Sequence, residues 1–276
     1  MKDKGRTITK VGITGAGGRI GRTLTEGLAD KYELTLFIRN TQPDTSRNLK
    51  IVKADLSKEE EVKGIFEGLD AVIHLAANPS PEAPWENVLQ DNIVATYNVL
   101  EEVRRAGVKR VIFASTNHVQ FGYAKGETID SLDPSFTESG KLIKLSDPPA
   151  PDSYYAVSKL FGEDLGRYYS RLYGLEFISV RIGWAAQKTV SPRLRSMLRR
   201  EKATEMLFRA LFFSQRDSID LFAKTLKVKA DFLVVYGVSN TRNPIFDLTQ
   251  TKEILSYNPQ DNEEEYFQGL PKGALG

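Results

Sequence analysis

Tyr155 and Lys159 stand four residues apart in a stretch patterned as a helix, so the phenol and the ammonium share one helix face. Tyrosine ordinarily ionises near pH 10, and a lowering of about three units, ~4 kcal/mol, makes it a usable general base near neutrality. A neighbouring cation is one means of lowering it, and Lys159 supplies one. Ser115 and Thr116 follow an apolar run that reads as a strand, which sets two hydroxyls at a strand end earlier in the chain. Taken by itself, the Tyr–Lys spacing also suits a solvated pair on a helix surface.

A second group of residues carries different chemistry. Thr14-Gly15-Ala16-Gly17-Gly18-Arg19-Ile20-Gly21 comes directly after the first predicted strand and opens the first predicted helix. Gly15, Gly18 and Gly21 would serve a tight turn, the approach of a pyrophosphate to backbone N–H groups, and close helix–sheet packing. A dinucleotide is the ligand this context predicts, held by those glycines with Arg19 and Ile20. Its ribose would then share Lys159 with the phenol, and a positively charged nicotinamide would lower Tyr155 further. A glycine-rich turn that binds nothing is the competing reading.

Other candidates fall at strand ends. Ala54-Asp55-Leu56 and His74-Leu75-Ala76-Ala77 lie at carboxyl ends of predicted parallel strands, the edge where doubly wound sheets bind ligands. Asp55 can accept from an adenine amino group, with Leu56 beside it. Leu75, Ala76 and Ala77 let the chain pass close to ribose or phosphate. Asp55 serves equally well as a helix cap, and His74 reads as a core-edge residue rather than a catalyst.

The elements that must position these groups alternate in the manner of strands joined by crossover helices. Strands are predicted at 7–13, 34–38, 50–53, 71–75, 110–114, 176–181 and 231–236, and helices at 18–29, 58–67, 84–106, 152–173, 193–213, 216–226 and 250–256. The Pro- and Asp-rich stretch 128–151 reads as a long surface loop. The fold class is α/β: a Rossmann-type doubly wound parallel sheet with a small C-terminal substrate-covering portion. One unit is expected over 1–276, with a dinucleotide-binding core at about 7–182, a covering part at about 183–268 and an unstructured tail at 269–276.

Composition narrows the chemistry. The 276 residues include no cysteine, which removes disulfides, thiolate zinc sites and cysteine nucleophiles, and His74 and His118 are the two histidines, without metal-ligand spacing around them. A net charge of +2 gives no reason to expect nucleic acid or a membrane surface as a partner. The first residues lead straight into a strand without an apolar signal core, and no run of ~18 apolar residues occurs. A cytoplasmic protein with no metal is expected.

Together these motifs make residues 8–260 resemble the extended short-chain dehydrogenase/reductase superfamily. The resemblance implies Tyr155 as catalytic base, Lys159 as ribose ligand, Thr116 in the place of the family's catalytic serine, and Asn92 as the helix residue supporting a proton relay. Ser115 takes the hydroxyl role if the register is one residue off. Arg181-Ile182-Gly183 looks like the segment that meets the nicotinamide end, with Ile182 in contact. Within the superfamily, Phe113-Ala114-Ser115-Thr116-Asn117-His118, Pro81-Glu82-Ala83-Pro84-Trp85 and Tyr257-Asn258-Pro259-Gln260 are similar to hexuronate dehydrogenases and archaeal NAD-dependent glucose-6-phosphate dehydrogenases.

Both groups oxidise the anomeric carbon of a cyclic sugar to a lactone. Asn117 and His118 would then orient ring hydroxyls. An anionic sugar, glucose 6-phosphate or a hexuronate, needs a cationic handle, and the basic run at 193–209 offers Arg193, Arg195 and Arg209. A solvated basic helix face accounts for the same run. NAD-specific relatives end the second strand with an acid, whereas this chain has Ile38-Arg39, and an arginine there accommodates a 2′-phosphate. NADP is therefore the preferred expectation over NAD. A nucleotide-sugar epimerase or dehydratase and a non-catalytic dinucleotide-sensing protein are the alternatives, and a homo-oligomer is a further expectation.

Overall fold

A computed structural model describes residues 7–43, 45, 47–128, 131–187 and 202–268. Seven strands form one parallel sheet: β1 (Lys10–Thr14), β2 (Glu33–Ile38), β3 (Lys50–Lys53), β4 (Ala71–His74), β5 (Arg110–Thr116), β6 (Glu176–Ile182) and β9 (Phe232–Gly237). Their order is β3-β2-β1-β4-β5-β6-β9, so the direction of winding reverses between β1 and β4. Ligands of open α/β sheets bind at that reversal, beyond the carboxyl ends of the strands. The inner strands are apolar on both faces because helices cover both, which is why they read as continuous Val, Ile and Phe runs.

On one face α1 (Arg19–Leu28) and α8 (Gln215–Thr225) bury Leu24, Leu28, Leu221 and Phe222 against Val11, Ile13, Ile112 and Val180. On the other, α4 (Ala95–Arg105) and α6 (Tyr154–Tyr173) bury Val99, Val103 and Tyr169 with Val72, Phe113 and Phe177. Ser153 starts α6 by accepting the Ala156 N–H at 3.2 Å, and Gly174, at φ +67°, ends it. That start places Tyr155 and Lys159 in its first turns.

Several elements differ from their sequence expectations. The helix predicted at 84–106 is α3 (Trp85–Val88), a π-helical turn (Leu89–Val94) and α4. A π turn widens the helix by one residue per turn while leaving its apolar spacing nearly helical, so periodicity does not reveal it. Of the helix predicted at 193–213, residues 193–201 lie outside the described residues. Lys202–Ala210 is helical (α7), and Phe212–Phe213 (β8) pairs in parallel with Trp184–Ala185 (β7). The helix predicted at 58–67 is the short α2 (Glu59–Val62).

The described part of the 128–151 stretch runs over the surface, as expected, and is pinned there at several points. Asp133 caps the short α5 (Pro134–Glu138), and Ile143 exchanges backbone hydrogen bonds with Ile245 and Asp247 at 2.8 and 2.9 Å. Phe121, Ile143, Leu207, Leu211, Tyr236 and Phe246 form a third apolar cluster beyond the sheet edge. Two C-terminal helices, α9 (Thr249–Leu255) and α10 (Glu263–Gln268), complete the described chain, and α10 was not predicted. It is held by Phe267, buried near Trp184. The expected tail, 269–276, lies outside the described residues. No helix among them is long and apolar enough to cross a membrane.

Candidate active site

The turn between β1 and α1 is built for close approach. Gly15 has φ +67°, and a Cβ there would lie 2.8 Å from the Ala76 nitrogen. A Cβ on Gly21 would lie 2.5 Å from the Gly15 oxygen, so α1 leans onto the turn. Helix α1 has no side-chain cap and no acid in its first turn, which leaves its leading N–H groups and positive dipole end free for an anion. Beneath the turn, Thr14 Oγ1 accepts the Leu75 and Ala76 N–H groups at 3.1 and 3.2 Å and bonds His74 Nδ1 at 2.8 Å. His74 Nε2 meets Thr96 Oγ1 at 3.2 Å, and burial lowers this imidazole to about 3. It is a neutral core residue, as the sequence suggested.

Above these strand ends lies a cavity of about 720 Å³. Gly15, Gly18, Arg19, Ile20 and Gly21 line it at the turn, and Arg39, Asp55 and Leu56 line it beyond β2 and β3. Leu75, Ala76, Ala77 and Ile182 complete the set expected for a dinucleotide. The cavity volume, the glycine cradle and the free helix end all fit such a ligand. Asp55 is not the cap of α2, which starts after Lys58 with no side-chain cap. It lines the cavity, and its carboxylate accepts the Ser57 N–H and hydroxyl at 3.1 and 2.8 Å. Partial burial would raise it, but the Ser57 bonds and Arg39 hold it below the usual carboxylate value.

Tyr155, Lys159, Thr116 and Ser115 line the same cavity, as do Asn117 and His118. Tyr155 is 8% and Lys159 3% exposed, and the Lys159 Nζ lies 5.9 Å from the Tyr155 ring centre. Burial pushes the phenol up to about 12 against the lowering effect of a Thr116 hydroxyl bond, and burial lowers the ammonium to about 7. Ser115 faces a different partner, donating to Glu163 Oε1 at 2.6 Å. Of the two neighbouring hydroxyls, Thr116 is therefore the one that addresses the phenol. Asn117 is buried with its Nδ2 unpartnered, a donor left for a ligand.

Asn92, Arg209 and Arg181 sit elsewhere. Asn92 does not line the cavity. Its amide donates to Asn78 O and Ser158 Oγ at 3.1 and 2.9 Å and accepts the Asn78 N–H at 2.7 Å, and Ser158 Oγ in turn donates to the Tyr155 carbonyl at 2.7 Å. It steadies the start of α6 rather than facing a ligand. Arg209 corrects its substrate-binding expectation: it is bonded to Glu205 at 2.7 Å, lies over Phe267, and lines a separate cavity with Arg242 and Glu263. Arg193 and Arg195 lie outside the described residues. Arg181 turns away from the cavity and bonds Glu163 at 2.8 and 3.0 Å, while Ile182 and Gly183 face it.

Sequence reasoning missed two contributors. Asp152, with no side-chain exposure, bonds His118 Nδ1 at 2.7 Å, and Asp91 reaches the cavity from the π turn. Proximity of Asp152 to Tyr155 in the chain was the available signal for the first. The second depends on a helix distortion that leaves none.

Residues 11–208 match the NAD dependent epimerase/dehydratase family. An L-arabinose 1-dehydrogenase (NAD(P)(+)) of Haloferax volcanii is 36% identical over 92% of this chain and 98% of its own length. An NAD-dependent glucose-6-phosphate dehydrogenase of the same organism is 32% identical over 94% of this chain and 96% of its own. The crystal structure of uronate dehydrogenase from Agrobacterium tumefaciens superposes with a TM-score of 0.77 at 28% identity, covering 97% of this chain and 90% of that one.

Proposed function

The chain belongs to the NAD dependent epimerase/dehydratase family, and from that premise we propose that it is a cytoplasmic NAD(P)-dependent oxidoreductase that oxidises C1 of a cyclic aldose to the lactone. The observation that carries this reading is that Tyr155, Lys159 and Thr116 share one cavity with the Gly15–Gly21 turn. Gly15, Gly18 and the leading N–H groups of α1 hold the pyrophosphate. Lys159 holds the nicotinamide ribose and keeps a cation beside the phenol. Bound nicotinamide supplies the acceptor for the C1 hydride. Tyr155 Oη takes the C1 hydroxyl proton, and Thr116 Oγ1 fixes phenol and substrate hydroxyl together.

Asn117 Nδ2 donates to a ring hydroxyl. Asp152 accepts a hydrogen bond from the Nδ1–H of His118, which leaves Nε2 as an acceptor for another hydroxyl. The sugar carries a phosphate or carboxylate, as in glucose 6-phosphate or a hexuronate, and Arg193 and Arg195 are the cations assigned to it. A neutral pentose is the second reading, favoured by the similarity to a protein named as an L-arabinose dehydrogenase. Glucose 6-phosphate, glucuronate, galacturonate, L-arabinose and free hexoses, each with NAD and with NADP and followed at 340 nm, test both. Higher kcat/KM on the anionic sugars is expected. Better turnover of neutral aldoses overturns the anionic clause, and no turnover of any aldose overturns the reading.

A second copy of the chain is the proposed partner. Helices α4 and α6 present Tyr97, Tyr154, Val157, Tyr168, Leu172 and Tyr173 outward, an apolar face that two-fold pairing would cover.

A further inference from the structure

Arg39 follows directly on β2, and its Nη1 lies 2.6 Å from Asp91 Oδ1 and 4.0 Å from Asp55 Oδ1. Asp91 comes from the π-helical turn after β4, and β1 lies between β2 and β4 in the sheet. The ion pair therefore spans the end of β1, where the glycine turn begins, and all three side chains line the cavity. At the end of the second strand of such a sheet, an acid reads the 2′-hydroxyl of adenosine and an arginine reads a 2′-phosphate. Here an acid and an arginine are both present, and they are bonded to each other.

We infer that Asp91 sets the preference between the two dinucleotides by holding Arg39. A 2′-phosphate reaches the guanidinium only by displacing the Asp91 carboxylate, and it then lies beside two carboxylates. A 2′-hydroxyl leaves the pair intact. Arg39 against Asp55 and Asp91 already leaves one net negative charge in this corner, to which a 2′-phosphate adds about −1.5 to −2 more. Lys58, the nearby ammonium, is bonded to Glu61 at 2.9 Å and does not line the cavity. The arginine that looks like an NADP determinant in the sequence is thus restrained, and the natural chain is shifted toward NAD.

This rests on the reading that the cavity takes a nicotinamide dinucleotide. The Arg39 side chain is 51% and the Asp91 side chain 22% exposed, so the pair adds little to folding and both variants fold. The test is calorimetric titration of NAD and NADP into the wild type, Asp91→Asn, Arg39→Ala and the double variant. Freeing Arg39 in Asp91→Asn is expected to move the ratio of dissociation constants about 10-fold toward NADP, the scale of one charge-assisted contact. In the Arg39→Ala background the same change is expected to move it clearly less, about 2- to 3-fold, since the arginine to be freed is gone and only the carboxylate's own repulsion of the phosphate is relieved. An unmoved ratio in Asp91→Asn overturns the inference. So does an equal movement without Arg39, which would make Asp91 a simple repulsive charge. Failure of the wild type to bind either dinucleotide overturns the functional reading and takes this inference with it.

Discussion

Burial moves Tyr155 and Lys159 away from the forms that proton abstraction needs, the phenol up to about 12 and the ammonium down to about 7. Tyr155→Phe is expected to lower kcat about 10²–10⁴-fold with dinucleotide affinity retained, measured by turnover and titration calorimetry. Full activity would remove Tyr155 from the reaction. For Lys159, the unfolded chain holds its proton up to the ordinary lysine value of 10.5, whereas the folded chain releases it near 7. Between those values the unfolded state binds more protons, so stability rises with pH and the cost of the buried charge is full below pH 7. Lys159→Met is therefore expected to gain roughly 2–4 kcal/mol of stability at pH 6–7, with the gain shrinking toward pH 10, in denaturant titrations across pH. A gain constant in pH would show that packing, not charge, is responsible. At this scale the sequence identifies residue types well. It leaves Ser115 and Thr116 interchangeable, because only the packing of Glu163 against Ser115, Ser179 and Arg181 decides which hydroxyl is free.

Helix α6 carries the reacting pair and lies on the sheet through two glycines. A Cβ on Gly162 would overlap the Phe113 ring, and one on Gly166 the Phe177 ring. Gly166→Ala gains about 1 kcal/mol of helix propensity but forces that overlap, and a net loss of about 1–2 kcal/mol is expected by thermal denaturation. An unchanged or raised Tm would show that α6 can lift from β6 without cost. The seven strands were legible because each is an apolar run closed by turn chemistry, and β3 has its predicted bounds, 50–53. The π turn was illegible, since the buried Val88, Asn92, Thr96, Val99 and Val103 keep three- and four-residue spacings across it. So was β8, where Phe212 and Phe213 look like the end of an amphipathic helix until the backbone of Trp184 and Ala185 lies alongside. The Arg39–Asp91 and His118–Asp152 pairs join residues 52 and 34 positions apart, which local pattern does not encode.

At the scale of the whole molecule, the outward aromatic face of α4 and α6 lies on the far side of the helices that support the cavity. Replacing Tyr168 and Leu172 together by glutamate is expected to lower the sedimentation coefficient from that of two copies to that of one. A wild type that already sediments as one copy would leave that face exposed by itself. The all-parallel order of the sheet has a further consequence, which concerns time rather than structure. No two neighbouring strands are joined by a hairpin, so every pairing waits for a crossover, and β6 keeps an open edge until residues 232–237 arrive as β9. A chain emerging from the ribosome therefore holds all of its cavity-lining glycines and the Tyr–Lys pair well before β9 covers the edge of β6. During that interval an unpaired strand is open to neighbouring chains, and synthesis halted before β9 would release a product prone to aggregation.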